Sequence, residues 1–131
     1  MFLTRLSLTN FRIFTRLDME IPRRTLLLVG DNAQGKTSVL EAIYYLATFT
    51  SFHASSDRQL INFLAGQEPL AVARLVADFQ RGGARRHIEV RLIQEQNGMA
   101  GPARFRKEIL VDGVKRSANE ATGNFSAVIF L

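Results

Sequence analysis

The sequence predicts an α/β fold: a mixed sheet with an antiparallel β-meander, few helices, and a strand–loop–helix unit near its start. Three observations predict it. A continuous apolar run at residues 25–29 passes through a glycine-bearing stretch into a helical pattern over 39–47. From residue 70 onward, apolar and polar residues alternate in short runs, as half-buried strands do. Gly-Gly and Asp-Gly pairs punctuate those runs, as hairpin turns require.

The elements follow in order. The start, "FLTRLSLTNF", sets Phe2, Thr4, Leu6 and Leu8 against Leu3, Arg5 and Ser7, a strand with one mainly apolar face. A second short strand is expected at 15–21. Pro22 then breaks the chain before a third strand at 25–29, continuously apolar as when both faces are buried. Gly30 ends it. From Gly35 the period becomes helical, with Val39, Ala42, Ile43, Leu46 and Ala47 on one stripe. "SSDRQLINFLAG" predicts a second helix: Ser56 and Gln59 as a capping box, Leu60, Ile61 and Leu64 as the stripe, Gly66 as the stop.

The meander comes next. Ala71, Ala73, Leu75, Ala77 and Phe79 form a wholly apolar face, leaving Arg74 and Asp78 on the other. Gly82 and Gly83 make a turn. Ile88, Val90 and Leu92 oppose His87, Glu89 and Arg91 in a half-exposed strand. "EQNGMAGPA" is a loop. "RFRKEILV" is a strand, Asp112 and Gly113 a turn, and residues 114–116 the return. Ser117 and Glu120 form a capping box on a short helix closed by Gly123, and "AVIFL" reads as a final strand.

Bulk properties narrow the class. At 131 residues, with 47% hydrophobic and 22% charged residues, the chain is one ordinary globular domain. No apolar run approaches the roughly 18 to 20 residues of a membrane helix. The N-terminus carries charges and threonines where a secretion signal needs an apolar core. There is no cysteine, hence no disulfide framework or thiolate metal site. A cytoplasmic protein with no membrane partner is expected. The net charge of +5 is uneven: residues 1–70 hold seven Lys/Arg and six Asp/Glu, residues 71–131 ten and six. A basic second half is either a nucleic-acid footprint or a solvated arginine-rich face.

The chemistry concentrates at residues 30–38, "GDNAQGKTS". Gly30, Gly35, Lys36 and Thr37 match G-x-x-x-x-G-K-[ST], the phosphate-binding loop. Glycines permit the sharp turn from strand to helix. Backbone N–H groups from about Ala33 to Ser38 can line an anion nest at the helix N-terminus. Lys36 can reach β- and γ-phosphates, and the Thr37 hydroxyl can ligate Mg²⁺. A dinucleotide site is disfavoured, because the spacing is not G-x-G-x-x-G. What the loop lacks is an acid at the end of another buried strand to hold metal or polarise water. Asp78 looks solvent-facing and Asp112 sits in a hairpin turn, so neither is a convincing catalytic carboxylate.

Three segments together carry a resemblance: "LTNFR" (8–12), "LLLVGDNAQGKTSVLEAIYYLA" (26–47) and "SFHASSDRQLI" (51–61). They resemble the N-terminus of the RecF family, bacterial DNA replication and repair proteins in the SMC-type branch of the ABC ATPases. The far end, "VDGVKRSANEATGNFSAVIFL", is also similar, so the resemblance covers nearly the whole chain. It implies the first lobe of an ATPase head, a P-loop NTPase fold, with residues 1–131 an incomplete N-terminal part. The helical lobe with the ABC signature, the second acidic motif and the switch histidine would lie beyond it. The resemblance implies ATP and Mg²⁺ as cofactors. Gly30, Asp31, Asn32, Ala33, Gln34, Gly35, Lys36, Thr37 and Ser38 would surround the phosphates. Asn10 and Arg12 would lie near the nucleotide, Arg12 toward the phosphates; the alternative for Arg12 is a solvent-facing side chain beside buried Phe11. Two positions depart from the family. Ala33 stands where glycine is common and does not easily take a positive φ; His53 stands where arginine is usual and would make a basic contact there pH-dependent.

The resemblance further implies ATP-dependent binding to gapped DNA and single-strand/double-strand junctions, with RecO, RecR and RecA as partners and an ATP-dependent homodimer of the full-length protein. Candidate DNA contacts are Arg81, Arg85, Arg86, Arg91, Arg104, Arg106, Lys107, Lys115 and Arg116. Alternation puts Arg104 and Arg106 on one face and Lys107 on the other. Two competing readings stay open: an ABC-type transporter ATPase fragment, and a nucleotide-binding module without catalysis. The "NFR" stretch and the lack of an aromatic residue for adenine stacking ahead of the loop argue against the transporter.

Overall fold

The alternation at the N-terminus builds the sheet. In the computed structural model, which describes residues 1–22, 33–52, 54–96 and 103–128, β1 is Phe2–Phe11 and β2 is Phe14–Glu20. They are joined by a two-residue turn. The helix α1, Ala33–Thr48, follows, then two short 3-10 turns at Asp57–Leu60 and Ala65–Gln67. The meander is β3 (Leu70–Arg81), β4 (Ala84–Glu95), β5 (Arg104–Val111) and β6 (Val114–Arg116), closed by a one-turn helix α2 (Ala118–Ala121).

Among the described residues these six strands form one sheet in the order β2-β1-β3-β4-β5-β6, every pairing antiparallel. The third strand expected at 25–29, which would make the sheet mixed, lies outside the described residues. So does the end of the expected last strand; its first residues, Ala127 and Val128, are in no regular element.

One face of the sheet meets α1. Register aligns Leu8, Leu75, Val90 and Ile109 across four strands, and Leu6, Ala77, Ile88 and Val111 beside them. All eight are buried, together with Val39, Ala42, Leu46 and Ala47 of α1; Ile43 packs at the margin. The predicted stripes therefore meet each other. Gly82 and Gly83 (φ 59° and 78°) and Asp112 and Gly113 (φ 51° and 82°) take the left-handed conformations of tight hairpin turns. Ser117 and Glu120 make the expected capping box.

The second helix is a correction. Residues 55–66 hold only the two 3-10 turns, and Ser56 makes no side-chain cap. Gln59 instead accepts from Ser55 N. The end of β1 competes for this segment's backbone. Arg12 N–H donates to Leu60 O at 2.8 Å, Asn62 N–H donates to Asn10 O at 2.7 Å, and Ile61 bridges to Phe11. A carbonyl committed to β1 is not available to an i→i+4 ladder.

Candidate functional site

The first two turns of α1 carry Gly35, Lys36, Thr37 and Ser38. Of the predicted loop, Gly30, Asp31 and Asn32 lie outside the described residues, and Ala33 and Gln34 are described as helical backbone only. Ala33 opens the helix, so the glycine common there in the family is replaced at a helical position. Lys36 and Thr37 are half-buried and Ser38 is buried. Among the described residues, the first turn of α1 holds no acidic side chain, and a helix N-terminus of this kind favours anions. A Cβ at Gly35 would lie 3.7 Å from Ile13 Cδ1 and 3.9 Å from the Phe14 ring. The β1–β2 turn thus rests against the loop's last glycine.

That turn also presents Arg12. Asn10 and Arg12 both adopt left-handed backbone (φ 50° and 51°), uncommon for non-glycine residues. Arg12 donates from Nε and Nη2 to the two oxygens of Glu41, at 2.8 and 2.9 Å, and from Nη1 to Gln59 O at 3.3 Å. Ser51 Oγ donates to Glu41 Oε2 at 2.5 Å. Glu41 is only 2% exposed and follows Thr37 by one helical turn. Its hydrogen bonds raise the Arg12 pKa further, against the opposing effect of burial. Arg12 is therefore neither solvent-facing nor free: it is clamped beside the start of α1. Asn10 turns away, its amide donating to Val72 O at 3.1 Å.

A second polar group lies one turn further along. Tyr45 is fully buried and donates to Asp57 Oδ2 at 3.0 Å. Lys107 reaches the same carboxylate at 3.1 Å, the Phe49 carbonyl at 3.1 Å, and sits 5.2 Å from the Tyr45 ring centroid. Burial, then Asp57, pushes the Tyr45 hydroxyl well above its ordinary pKa. Phe49 ends α1 at φ 59°, with a phenylalanine where glycine is usual. Its burial and its carbonyl's bond to Lys107 hold it there.

The other basic candidates divide between the two faces. Arg85, Arg91, Arg104, Arg106 and Lys115 belong to the outer face of the sheet. Arg91 pairs with Glu89 at 2.5 Å and Glu108 at 3.6 Å; Arg106 with Glu95 at 3.2 Å and Glu108 at 3.3 Å; Lys115 with Glu108 at 3.4 Å. Arg85 and Arg104 are exposed. Arg81 donates to the carbonyls of Gly123 and Asn124, Arg86 pairs with Asp112 at 2.7 Å, and Arg116 with Glu120 at 3.7 Å. Arg81 and Arg86, which also donates to Asn124 Oδ1 at 3.0 Å, tie the meander to the residues after α2, and Arg116 ties it to α2 itself. Lys107 belongs to the Tyr45 group, on the opposite face from Arg106 as alternation requires.

Glu89 corrects the half-exposed reading of β4: it is 4% exposed. Arg74 and Arg91, opposite one another in the register, close over it, Arg74 at 2.7 Å. Burial pushes Glu89 up, but the two arginines outweigh it and hold its carboxyl below the usual range. Asp78 pairs with His87 at 2.5 Å, and Asp112 accepts from His87 N–H at 2.9 Å and from Arg86. Both acids are thus engaged in structural pairs.

Comparison with known proteins agrees with this architecture. The AAA ATPase domain model matches residues 1–111. The chain is 41% identical over 135 residues to the DNA replication and repair protein RecF of Roseiflexus castenholzii, covering 99% of this chain and 34% of that protein. It is 38% identical to RecF of Chloroflexus aggregans, with the same coverage. A solved structure of the recombination mediator protein RecF with ATP, from the RecFOR pathway, superposes with a TM-score of 0.73 at 30% identity, over 99% of this chain and 32% of that one. A second, RecF-ATPrS, gives 0.75. The chain spans about a third of the length of these relatives. With a phosphate-loop helix on an antiparallel sheet and this similarity to RecF along nearly all its residues, the chain belongs to the AAA ATPase domain family.

Proposed function

We propose that this chain binds ATP with Mg²⁺ and forms the phosphate-loop part of the ATPase head of a DNA replication and repair protein. The observation that carries the reading is the first turn of α1. Gly35, Lys36 and Thr37 fall at the required spacing at the start of a helix whose own first turn holds no acidic residue. The donor set fits the cofactors: an ammonium for phosphate oxygens and a hydroxyl for Mg²⁺. Lys36 would bind the β- and γ-phosphates and Thr37 would ligate the metal. Mg²⁺ supplies charge neutralisation on the phosphates when bound. In the whole protein, the head pairs with a second copy through ATP and closes on gapped DNA, with RecO, RecR and RecA as partners. Arg85 and Arg104 are the first DNA contacts to examine, because among the described residues no carboxylate pairs with either.

Titration of the chain with ATP and Mg²⁺ by calorimetry tests the core of this reading. Saturable binding that Lys36→Ala removes is expected; no binding by the unaltered chain overturns it. For the whole protein, filter binding to gapped DNA with and without ATP is the test, and a result independent of ATP removes the clamp. A second reading applies to these 131 residues alone: binding without catalysis. Asp78 and Asp112, the two acids considered for metal, both sit in structural pairs. Steady-state hydrolysis by this chain that Lys36→Ala abolishes would overturn it.

A further inference from the structure

Glu41 is a costly residue in its place. A carboxylate only 2% exposed loses its hydration, and an apolar residue there would avoid that loss. Arg12 is costly too, since its backbone is held in the left-handed region. The two residues meet in a two-pronged bond. That bond fixes the plane of the guanidinium, as a single-pronged contact would not.

Of the five guanidinium N–H groups, three are used, by Glu41 Oε1, Glu41 Oε2 and Gln59 O. Two remain, on a side chain 27% exposed. The pair lies one turn along the helix from Thr37, beside the only end of α1 that attracts anions. Glu41 is anchored in turn by Ser51, so it cannot follow Arg12 if Arg12 moves.

We propose that Glu41 is a positioning residue for the phosphate site: it holds Arg12 rigidly beside the first turn of α1, with the two remaining N–H groups presented to the nucleotide's phosphates. This rests on the ATP-binding reading above. The Arg12–Glu41 pair is then part of the binding machinery, although Glu41 touches no ligand. Its effect on the nucleotide passes through Arg12, and that dependence is what the test isolates.

The test is a double-mutant cycle on ATP affinity, measured by calorimetry with Mg²⁺ on the chain as it stands. Glu41→Gln and Arg12→Gln are each expected to weaken ATP about tenfold, the effect of one lost charge-assisted contact. The double variant is expected to be no weaker than Arg12→Gln alone. Unchanged affinity in Glu41→Gln, or losses that multiply in the double variant, overturns the proposal. If Glu41→Gln does not fold, the pair Arg12→Leu with Glu41→Leu is read instead, since an apolar pair removes the buried charge. That variant is expected to fold and to bind ATP about tenfold more weakly; wild-type affinity in it overturns the proposal. Failure of the unaltered chain to bind ATP overturns the ATP-binding reading itself, and the positioning role with it. ATP binding that survives Lys36→Ala overturns that reading of the site while the cycle still reports on Glu41.

Discussion

Glu41 and Glu89 invite comparison. Both are buried carboxylates, 2% and 4% exposed, and both are gripped by arginine. Their partners differ in origin. Glu41 draws on the β1–β2 turn and on residue 51, segments that no strand ladder joins to α1. Glu89 draws on its own strand and on β3, already joined to it along the whole hairpin. The same chemistry thus connects separate parts on one side of the sheet and reinforces existing connections on the other. Connectivity, more than bond geometry, decides how much such a group matters.

The contrast predicts a gradient in stability from the helix-covered side outward. The largest effect belongs to the core beneath both: Leu75→Ala leaves a cavity at a fully buried position and costs about 3 kcal/mol in denaturant unfolding. Next comes Asp57→Ala, which strips the shared acceptor from Tyr45 and Lys107 and costs about 2 kcal/mol. An equal loss from Glu89→Gln would break the comparison. That change is expected to cost only about 1 kcal/mol, because Arg74 and Arg91 are 50% and 40% exposed and water screens them.

Acid sharpens the Glu89 case. Its carboxyl is held below the ordinary range in the folded chain, so folding favours the charged form. The stabilisation is present above the ordinary carboxylate pKa and is lost as pH falls through the lowered one. The gap in stability between wild type and Glu89→Gln is therefore expected at neutral pH and closes on acidification; a gap that widens in acid contradicts the pairing. The smallest effect is Lys115→Ala, a single exposed partner of Glu108, below about 0.5 kcal/mol by the same measurement.

Sequence periodicity anticipated most of the frame. The bounds of β5 and β6, both hairpin turns, the α1 stripe and the α2 capping box follow from alternation and turn chemistry alone. Residues 55–66 misled because a capping-box spacing is local, whereas the claim that β1 makes on Leu60 and Asn62 is not. Glu41 and Tyr45 stayed hidden because a helical stripe counts apolar residues only. Their spacing of four inside "LEAIYYLA" was the available signal: two polar groups one turn apart in an apolar helix need partners. Strand alternation alone puts Glu89 on a half-exposed face, but it is buried and paired by arginines from two strands, an arrangement that no single-strand pattern contains. The resemblance puts Arg12 near the loop; its grip on Glu41 joins residues 29 apart in the chain, which no local pattern contains.

The order of the sheet carries a kinetic consequence. β3 to β6 are successive hairpins and can zip up from neighbouring residues. β1 pairs locally with β2 on one edge, but its other edge is different: Leu8 finds Leu75, a partner far along the chain. Everything between, including the helix start and the clamp on Arg12, is enclosed in the loop that this pairing closes. Long-range closure of this kind is slow, because chain entropy is spent before contacts repay it. Lys36, Thr37 and the clamp on Arg12 all lie inside that closed loop, so their arrangement is expected to form only once β1 has paired with β3.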